Sequence, residues 1–291
     1  MTVAVPESVA ELTEVLRRGG YLADRGLATA VHVALALRRP LLLEGEVGVG
    51  KTEIAKVLAT VLGRELIRLQ CHEGIDTNQA LYEWDYARQL LHIRALSTPD
   101  SEVAVAELFG PEFLLERPLL RAVRTGDRAV LLIDEVDRAD DEFEAFLLEL
   151  LSDFQITIPE VGTVVAADPP LVVLTSNRTR ELHDALKRRC MYHWIDYPPF
   201  EREVEIVVLR EPSVSESLAR EVVAAVTRLR DLDLAKPPGV AETIDWARTL
   251  EFLGETALTA EVADATLGAV VKDRDDLVLV RDDLEGITAD G

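Results

Sequence analysis

Hydrophobic residues along the chain follow two periods, one typical of buried strands and one typical of helices. Short runs that are almost wholly apolar alternate with helical stretches, such as the one from Phe143 to Phe154. Strands with few polar residues on either face are typical of a parallel sheet that helices cover on both sides. The pattern therefore predicts an α/β fold with buried strands at residues 41–43, 66–71, 129–134 and 171–177.

Further elements are predicted around these strands. Apolar positions at helical spacing predict two helices within residues 1–39, and another helix that ends at Gly63. Two short extended runs within residues 155–167 predict a hairpin, and residues 192–200 predict a final strand that ends at two prolines.

Beyond residue 200 the pattern predicts helices only. Ser213 and Glu216 have the spacing of a capping box before one of these helices. The acid-rich stretch from Asp273 is expected to be partly mobile, although its apolar residues 277–280 could instead pair or pack. We therefore predict two domains, an α/β domain of residues 1–199 that includes the N-terminal helices of residues 1–39, and a helical domain of residues 200–291.

Composition narrows the class of protein. The 291 residues include 31 Lys and Arg against 53 Asp and Glu, a formal charge of −22. Such an excess of acid argues against broad contact with nucleic acid or with an anionic membrane, which require clustered basic residues. The apolar stretches are shorter than the roughly 20 residues of a membrane span, and the N-terminus lacks a secretory pattern. Because two cysteines provide no disulfide framework, we expect a reducing, cytoplasmic setting.

A glycine-rich segment after the first strand carries the strongest chemical signal. Residues 45–52, GEVGVGKT, match the P-loop pattern G-x-x-x-x-G-K-[ST] at every fixed position. A chance glycine turn would not require the strand before it and the helix after it, which both are predicted here. Backbone amides of such a loop bind phosphate oxygens, and its lysine reaches the β- and γ-phosphates of ATP. The predicted nucleotide-binding residues are Gly45, Glu46, Val47, Gly48, Val49, Gly50, Lys51, Thr52 and Glu53.

Two adjacent acids end the strand at 129–134. In isolation, Asp134 and Glu135 would more often be a solvated turn than a site. After a P-loop, they have the Walker B arrangement, in which one acid holds Mg²⁺ and the next deprotonates the attacking water. We predict that Thr52 and Asp134 are the magnesium ligands and that Glu135 is the general base.

Three more residues are candidates for phosphoryl transfer. Asn177 ends the next apolar strand, where its amide could bind the attacking water or the γ-phosphate, although such an Asn could instead cap a helix. Arg188 and Arg189 lie in the segment ALKRRC, and a guanidinium stabilises phosphoryl-transfer charge well. A solvated basic helix end is the alternative for either arginine.

These elements, in this order and followed by helices, resemble the AAA+ ATPases. Within that superfamily the chain is similar to the MoxR group and especially to its CoxD-like branch. The residues that carry the likeness are LLLEGEVGVGKTEIAKVLA, LIDEVDRAD, QITIPEVG before LVVLTSN, and LHDALKRRCMYHWIDYPP. The resemblance implies a P-loop AAA+ parallel sheet flanked by helices, with a small all-helical C-terminal lid domain.

The resemblance also implies a function. MoxR-type proteins are ATP-driven rings, typically hexamers, that work with a protein carrying a von Willebrand factor A domain. They mature or activate a client complex, often a metalloenzyme, and the CoxD-like branch is linked to the metal centre of carbon monoxide dehydrogenase. On this template Arg189 is the first candidate for the arginine finger that acts on a neighbouring subunit, and Arg188 is the second.

The sequence departs from the family pattern at the sensor-2 position of the lid domain. Lid domains of this kind usually carry a sensor-2 arginine near the start of their third helix. Here the corresponding residues are Ala241, Glu242 and Thr243, and Arg248 follows more than one turn later. Sensor 2 therefore stays unassigned.

Two segments allow both a functional and a structural interpretation. Cys71, His72 and Glu73 could suggest a metal site, but three adjacent residues point in different directions, so a buried cysteine is the better interpretation. Residues 81–86 alternate as in a strand, with Tyr82, Trp84 and Tyr86 on one face. That face could contact a client protein or pack on the core.

The charge distribution bears on partners. Acidic residues dominate 134–153 and basic residues dominate 178–189, so one subunit's basic edge could meet its neighbour's acidic helix. A nucleic-acid motor or loader is the runner-up function, but residues 75–96 contain few basic residues. A nucleotide-binding scaffold with little turnover is the third, and intact Lys51, Asp134 and Glu135 argue against it.

Overall fold

The computed structural model describes residues 6–96 and 108–288, and two compact units share them. The first unit comprises Met1–Gly19, Ala23–Glu44 and Thr52–His193. The second comprises Gly20–Leu22, Gly45–Lys51 and Trp194–Gly291. The P-loop up to Lys51 therefore groups with the C-terminal helices, whereas Thr52 groups with the rest of the α/β region.

Nine strands form within the described ranges, five of them in one sheet. Its order is β2-β5-β8-β1-β9, and the β1–β8, β2–β5 and β5–β8 pairs are parallel. Two antiparallel pairs, β3–β4 and β6–β7, lie outside it. The strands are β1 Leu41–Gly45, β2 Glu65–Gln70, β3 Tyr82–Trp84, β4 Leu114–Glu116, β5 Ala129–Asp134, β6 Gln155–Ile158, β7 Gly162–Val165, β8 Leu171–Ser176 and β9 Met191–Ile195.

Burial of the strands explains the apolar runs of the sequence. Every residue of β1, β5 and β8 is buried, as expected for central strands covered on both faces. The edge strand β2 alternates instead, with Ile67 and Leu69 buried and their neighbours exposed. Because β5 and β8 lie next to each other and run parallel, their carboxyl ends meet at the same edge of the sheet.

The helices of the α/β region begin at capping residues that the sequence supplies. Asp24 caps α2 and Asp140 caps α7, each by accepting a hydrogen bond from a backbone N–H of the first turn. These helices are α1 Val9–Arg18, α2 Arg25–Leu37, α3 Lys51–Val61, α4 Thr77–Leu81, α5 Tyr86–Leu96, α6 Pro118–Thr125, α7 Asp141–Asp153 and α8 Asp184–Arg189.

Beyond the sheet the second unit is helical and has its own core. Trp246 is fully buried there, and its indole N–H donates to the hydroxyl of Thr266 at 2.8 Å. None of the helices in the described residues combines the length and the apolar character that a membrane crossing requires. The helices are α9 Phe200–Arg210, α10 Glu216–Asp231, α11 Val240–Leu253, α12 Ala260–Thr266, α13 Arg274–Arg281 and α14 Leu284–Thr288.

The predicted fold class is confirmed, and several local predictions need correction. The cap of α10 is Ser215 and not Ser213, because the Ser215 hydroxyl accepts the Leu218 N–H at 3.2 Å. The stretch from Asp273 is ordered as α13 and α14, since Val280 and Ile287 are buried in the core of the second unit. The last strand, β9, ends at Ile195, before the two prolines.

Candidate functional site

The P-loop connects β1 to α3 through a backbone that only glycine tolerates at two positions. Gly48 and Gly50 have φ values of 77° and 93°, in the left-handed region. A Cβ on Gly48 would lie 2.9 Å from Gly239 Cα and 2.9 Å from a carboxylate oxygen of Glu242. The loop therefore needs glycine at residue 48 for its conformation and for space.

The side chain of Lys51 folds back onto the P-loop residues that precede it. Its ammonium donates to the carbonyl oxygens of Gly45 at 2.8 Å and Glu46 at 2.5 Å, and the residue is 6% exposed. Val49 is also buried, whereas Val47 is exposed. Glu53 lies in the first turn of α3, with its carboxylate 3.1 Å from the Lys56 ammonium. The charge of Lys51 is thus held where a P-loop binds phosphate.

Asp134 joins the Walker B strand to the start of α3. Its Oδ1 accepts from the Thr52 hydroxyl at 2.8 Å and from the Thr175 hydroxyl at 2.5 Å. Thr175 is placed there because β8 runs beside β5. A hydroxyl and a carboxylate within hydrogen-bond distance form the hard oxygen donor set that Mg²⁺ prefers. Thr52 and Asp134 therefore fit the metal that their motifs imply.

The second oxygen of Asp134 binds an arginine that the sequence did not reveal. Arg68 Nε and Nη2 lie 3.1 and 2.5 Å from Asp134 Oδ2. Asp134 is 2% exposed, whereas the Arg68 side chain is 49% exposed. Polar residues near the carboxyl ends of neighbouring strands, Arg68 on β2 and Thr175 on β8, are the signal that could have indicated both contacts.

Glu135 follows Asp134 in a conformation unusual for a residue with a side chain. Its φ of 55° and ψ of 50° are left-handed, and its N–H donates to the Thr175 hydroxyl at 2.9 Å. Its carboxylate lies 3.0 Å from the Arg138 guanidinium and is partly exposed. The turn costs roughly 1 kcal/mol or more in backbone strain. This conformation holds the partly exposed Glu135 carboxylate next to Thr52 and Asp134, the predicted magnesium ligands.

Asp137 ties the Walker B turn to the loop after β8. This residue is 2% exposed and accepts hydrogen bonds from the N–H of Asn177 at 3.2 Å and of Thr179 at 2.8 Å. The Thr179 hydroxyl donates to the same oxygen at 2.7 Å. Asn177 does not cap the next helix, since the cap of α8 is His183. Sequence reasoning assigned no role to Asp137, although it lies three residues after Asp134 in the same motif.

Arg188 and Arg189 end the short helix α8 and have different surroundings. Arg189 Nε donates to the Ser152 hydroxyl at 2.9 Å and so contacts α7 of its own chain. Arg188 is exposed, and its side chain has no hydrogen-bond or ion-pair partner among residues 6–96 and 108–288. The guanidinium of Arg39 donates to the carbonyl oxygens of Arg188 at 2.9 Å, and of Arg189 and Cys190 at 3.3 Å each.

The acidic and basic segments pair at least partly within one chain. Arg180 forms an ion pair with the fully buried Glu144 of α7 and lies 3.6 Å from Asp141. Lys187 binds Glu181 at 2.7 Å. Arg180 and Lys187 therefore already have partners within the chain, and pairing between the basic segment of one subunit and the acidic helix of its neighbour stays a prediction.

The structure describes the surroundings of the two segments that allowed more than one interpretation, residues 71–73 and 81–86. Burial, and after it the nearby charges of Asp134, Asp137 and Glu135, together raise the pKa of the Cys71 thiol to about 12. No group of three or more metal-binding side chains forms in the part of the chain that the structure describes. Trp84 is buried and packs edge-on against Phe109, and the partly buried Tyr82 packs on the same core, so two of the three residues of the predicted aromatic face belong to the core. Tyr86 is exposed at the start of α5 instead.

The residues at the sensor-2 position have structural partners. Thr243 is buried, and its hydroxyl donates to Glu203 at 2.7 Å. Glu242 caps its own helix by accepting the Gly239 N–H at 2.9 Å. The Ala241 N–H donates to the carbonyl oxygen of Gly48 at 3.2 Å, so the start of α11 contacts the P-loop through its backbone. Arg248 lies one turn further on, paired with Glu211.

Comparison with known proteins agrees with this arrangement. NorQ of Paracoccus denitrificans is 27% identical over 73% of this chain and 72% of its own length. CbbQ of Hydrogenophilus thermoluteolus is 28% identical over 77% of this chain and 76% of its own length. A mutant of Thermotoga maritima RuvB superposes with a TM-score of 0.51 at 18% identity, covering 94% of this chain and 74% of that one. The structural likeness shows the fold alone.

A family model fixes the assignment. The AAA domain of the dynein-related subfamily matches residues 40–190, just over half of the chain. This range contains the P-loop, Asp134, Glu135, Asn177 and the end of α8. The predicted likeness to MoxR-type AAA+ ATPases is confirmed at this level, whereas the CoxD-like branch stays a prediction. The chain therefore belongs to the AAA domain family, in its dynein-related subfamily, and is a MoxR-type AAA+ protein.

Proposed function

We propose that this protein hydrolyses ATP, as a ring of identical subunits, to remodel or mature a client protein complex. The observation that carries the proposal is the 2.8 Å hydrogen bond from Thr52 to Asp134. It joins the residue after the P-loop lysine to the Walker B carboxylate. A scaffold that only binds nucleotide does not need the Thr52–Asp134 pair with the accessible Glu135 carboxylate beside it. Hydrolysis uses the pair to hold Mg²⁺ and Glu135 as the base.

The proposed chemistry assigns one task to each side chain. Lys51 and the P-loop amides bind the phosphates of ATP, while Thr52 and Asp134 hold Mg²⁺. When bound, Mg²⁺ would neutralise charge that develops on the phosphate oxygens. Glu135 accepts a proton from the attacking water, and Asn177 orients that water.

The trans-acting group is proposed to come from the end of α8. Either arginine there could reach a neighbouring subunit's nucleotide. The Arg188 side chain has no hydrogen-bond or ion-pair partner among the described residues, whereas Arg189 Nε donates to the Ser152 hydroxyl, and this difference favours Arg188. The family resemblance favours Arg189, and both remain candidates.

A protein client is favoured by charge. With 53 acids against 31 basic residues, the subunit would repel a nucleic-acid backbone unless a basic groove overcame the effect. We therefore propose a cytoplasmic hexamer that acts with a von Willebrand factor A-domain protein on a client, in metalloenzyme maturation. A nucleic-acid motor is the second candidate.

Replacing Glu135 by Gln tests hydrolysis. Glutamine keeps the shape of the side chain but cannot take a proton, so turnover is expected to fall by roughly 100-fold or more. Binding of a fluorescent ATP analogue should stay within about threefold of wild type, because the phosphate-binding residues are unchanged. Arg138→Ala, which removes the ion-pair partner of Glu135, is the control. If Glu135→Gln turns over ATP like wild type, Glu135 is not the base.

A further inference from the structure

Asp134 has a counter-charge in the protein itself. Its Oδ1 accepts two hydroxyl donors, from Thr52 and Thr175, and its Oδ2 accepts both contacts from Arg68. The hydroxyls carry no charge, so the guanidinium of Arg68 is the group that neutralises this buried carboxylate. An ionised carboxylate in an apolar surrounding without such a partner is strongly unfavourable.

Arg68 is held less tightly than a structural ion pair of the same chain. In the second unit, Arg230 binds Glu203 with two bonds of 2.7 and 2.8 Å and also donates to the carbonyl oxygen of Pro238. The side chain of Arg230 is 11% exposed, against 49% for Arg68. Apart from Asp134, the guanidinium of Arg68 forms a hydrogen bond only with the side-chain oxygen of Gln70 among the described residues. Because the side chain is half exposed, Arg68 can leave Asp134 for solvent with the loss of few other hydrogen bonds.

We propose that Arg68 and Mg²⁺ compete for the carboxylate of Asp134. Arg68 neutralises Asp134 while the metal is absent and withdraws towards solvent when Asp134 serves the metal. Arg68 thereby weakens magnesium affinity and protects the metal-free subunit. The inference rests on the proposed magnesium site, because it assigns Asp134 as the metal ligand.

Two consequences distinguish competition from a purely structural ion pair. Without Arg68, the buried carboxylate of the metal-free protein keeps only the neutral hydroxyls of Thr52 and Thr175 as hydrogen-bond donors among the described side chains, so the protein should unfold more easily in EDTA. Because a bound cation removes that penalty, Mg²⁺ should then stabilise the variant more than it stabilises wild type. A structural pair would lose the same stability with and without the metal.

The test measures thermal unfolding of the nucleotide-free full-length protein in EDTA and over a magnesium chloride series. Arg68→Gln, which removes the charge and keeps hydrogen-bond donors, is the principal variant, and Arg68→Ala is the second. Arg121→Ala is the matched control, since Arg121 forms an exposed ion pair with Glu65 on the same strand β2. The same series with ADP present gives the magnesium dependence of nucleotide binding.

We expect half-saturation by Mg²⁺ at a concentration about tenfold lower in Arg68→Gln than in wild type, as for loss of a close charge pair. Arg121→Ala should follow wild type. Equal magnesium dependence in wild type and Arg68→Gln would overturn the proposal, as would equal loss of stability in EDTA and in Mg²⁺. If wild type binds neither ATP nor ADP in Mg²⁺, the proposed function itself fails, which is a separate result.

Discussion

At the scale of single residues, burial controls the two thiols. Burial is the main cause that raises the pKa of both Cys71 and Cys190 to about 12, from an ordinary value of 9.0. Because the folded pKa lies above the unfolded one, the neutral thiols stabilise the fold fully below about pH 9. That contribution is lost as the pH rises from about 9 to about 12.

Alkylation of the folded protein tests whether the two buried thiols stay neutral and unreactive. At about pH 9, where a thiol of ordinary pKa is half ionised, iodoacetamide should modify neither cysteine of the folded protein, and both in urea. Mass spectrometry of the intact chain counts the adducts. Rapid native modification of Cys71 would show that the thiol is ionised and reachable, which would contradict the burial argument.

At the scale of elements, Arg39 links α8 to the segment that precedes β1. Its guanidinium bonds to the last three carbonyl groups around the end of α8, and the Met191 N–H donates to the Pro40 carbonyl oxygen at 2.7 Å. A helix of six residues has few internal hydrogen bonds, so contacts from outside determine where it ends. Arg39 thus fixes the position from which Arg188 and Arg189 project.

Replacing Arg39 by Ala should therefore impair the candidate fingers without touching nucleotide. We expect ATP turnover of the assembled protein to fall by roughly tenfold or more, with ADP affinity within about twofold of wild type. Arg38→Ala is the matched control, because Arg38 is adjacent but forms an exposed ion pair with Asp168. If both variants lose turnover equally, Arg39 has no specific role in placing α8.

Local motifs could be predicted from the sequence, whereas long-range contacts could not. Motifs of fixed local spacing, from Gly45 to Thr52 and at Asp134 and Glu135, were identified because each is set by one strand and one turn. Arg68 lies 66 residues from Asp134, and their contact depends on which strand β2 pairs with. Arg39 lies about 150 residues from α8. No local pattern encodes such partners, so the sheet order had to be known first.

Local ambiguity explains the other differences. Ser213 and Ser215 both precede α10, and only the hydrogen bond to Leu218 distinguishes the cap. Residues from 274 onwards look acidic and solvated in sequence, yet Asp276 is buried and accepts the N–H groups of Ala235 and Lys236. A buried carboxylate with two backbone donors anchors α13 where composition alone predicted mobility.

At the scale of the whole molecule, assembly depends on how the charge of −22 is arranged. The basic edge seemed available to a neighbouring subunit, but Arg180 and Lys187 are paired within their own chain. The charge of −22 on each subunit also makes identical subunits repel each other at long range, and salt screens that repulsion.

Assembly of the proposed ring should therefore tolerate salt or strengthen with it. Raising the salt from about 0.05 M to about 0.3 M shortens the screening length to below roughly 8 Å, which weakens subunit repulsion more than short contacts at Arg188. Mass photometry with ATP and Glu135→Gln subunits, which do not consume the nucleotide, measures the assembled fraction across this range. A steep loss of assembly with salt would restore the opposite view, in which attraction between basic and acidic edges holds the subunits together. A monomer at every salt concentration would count against the ring.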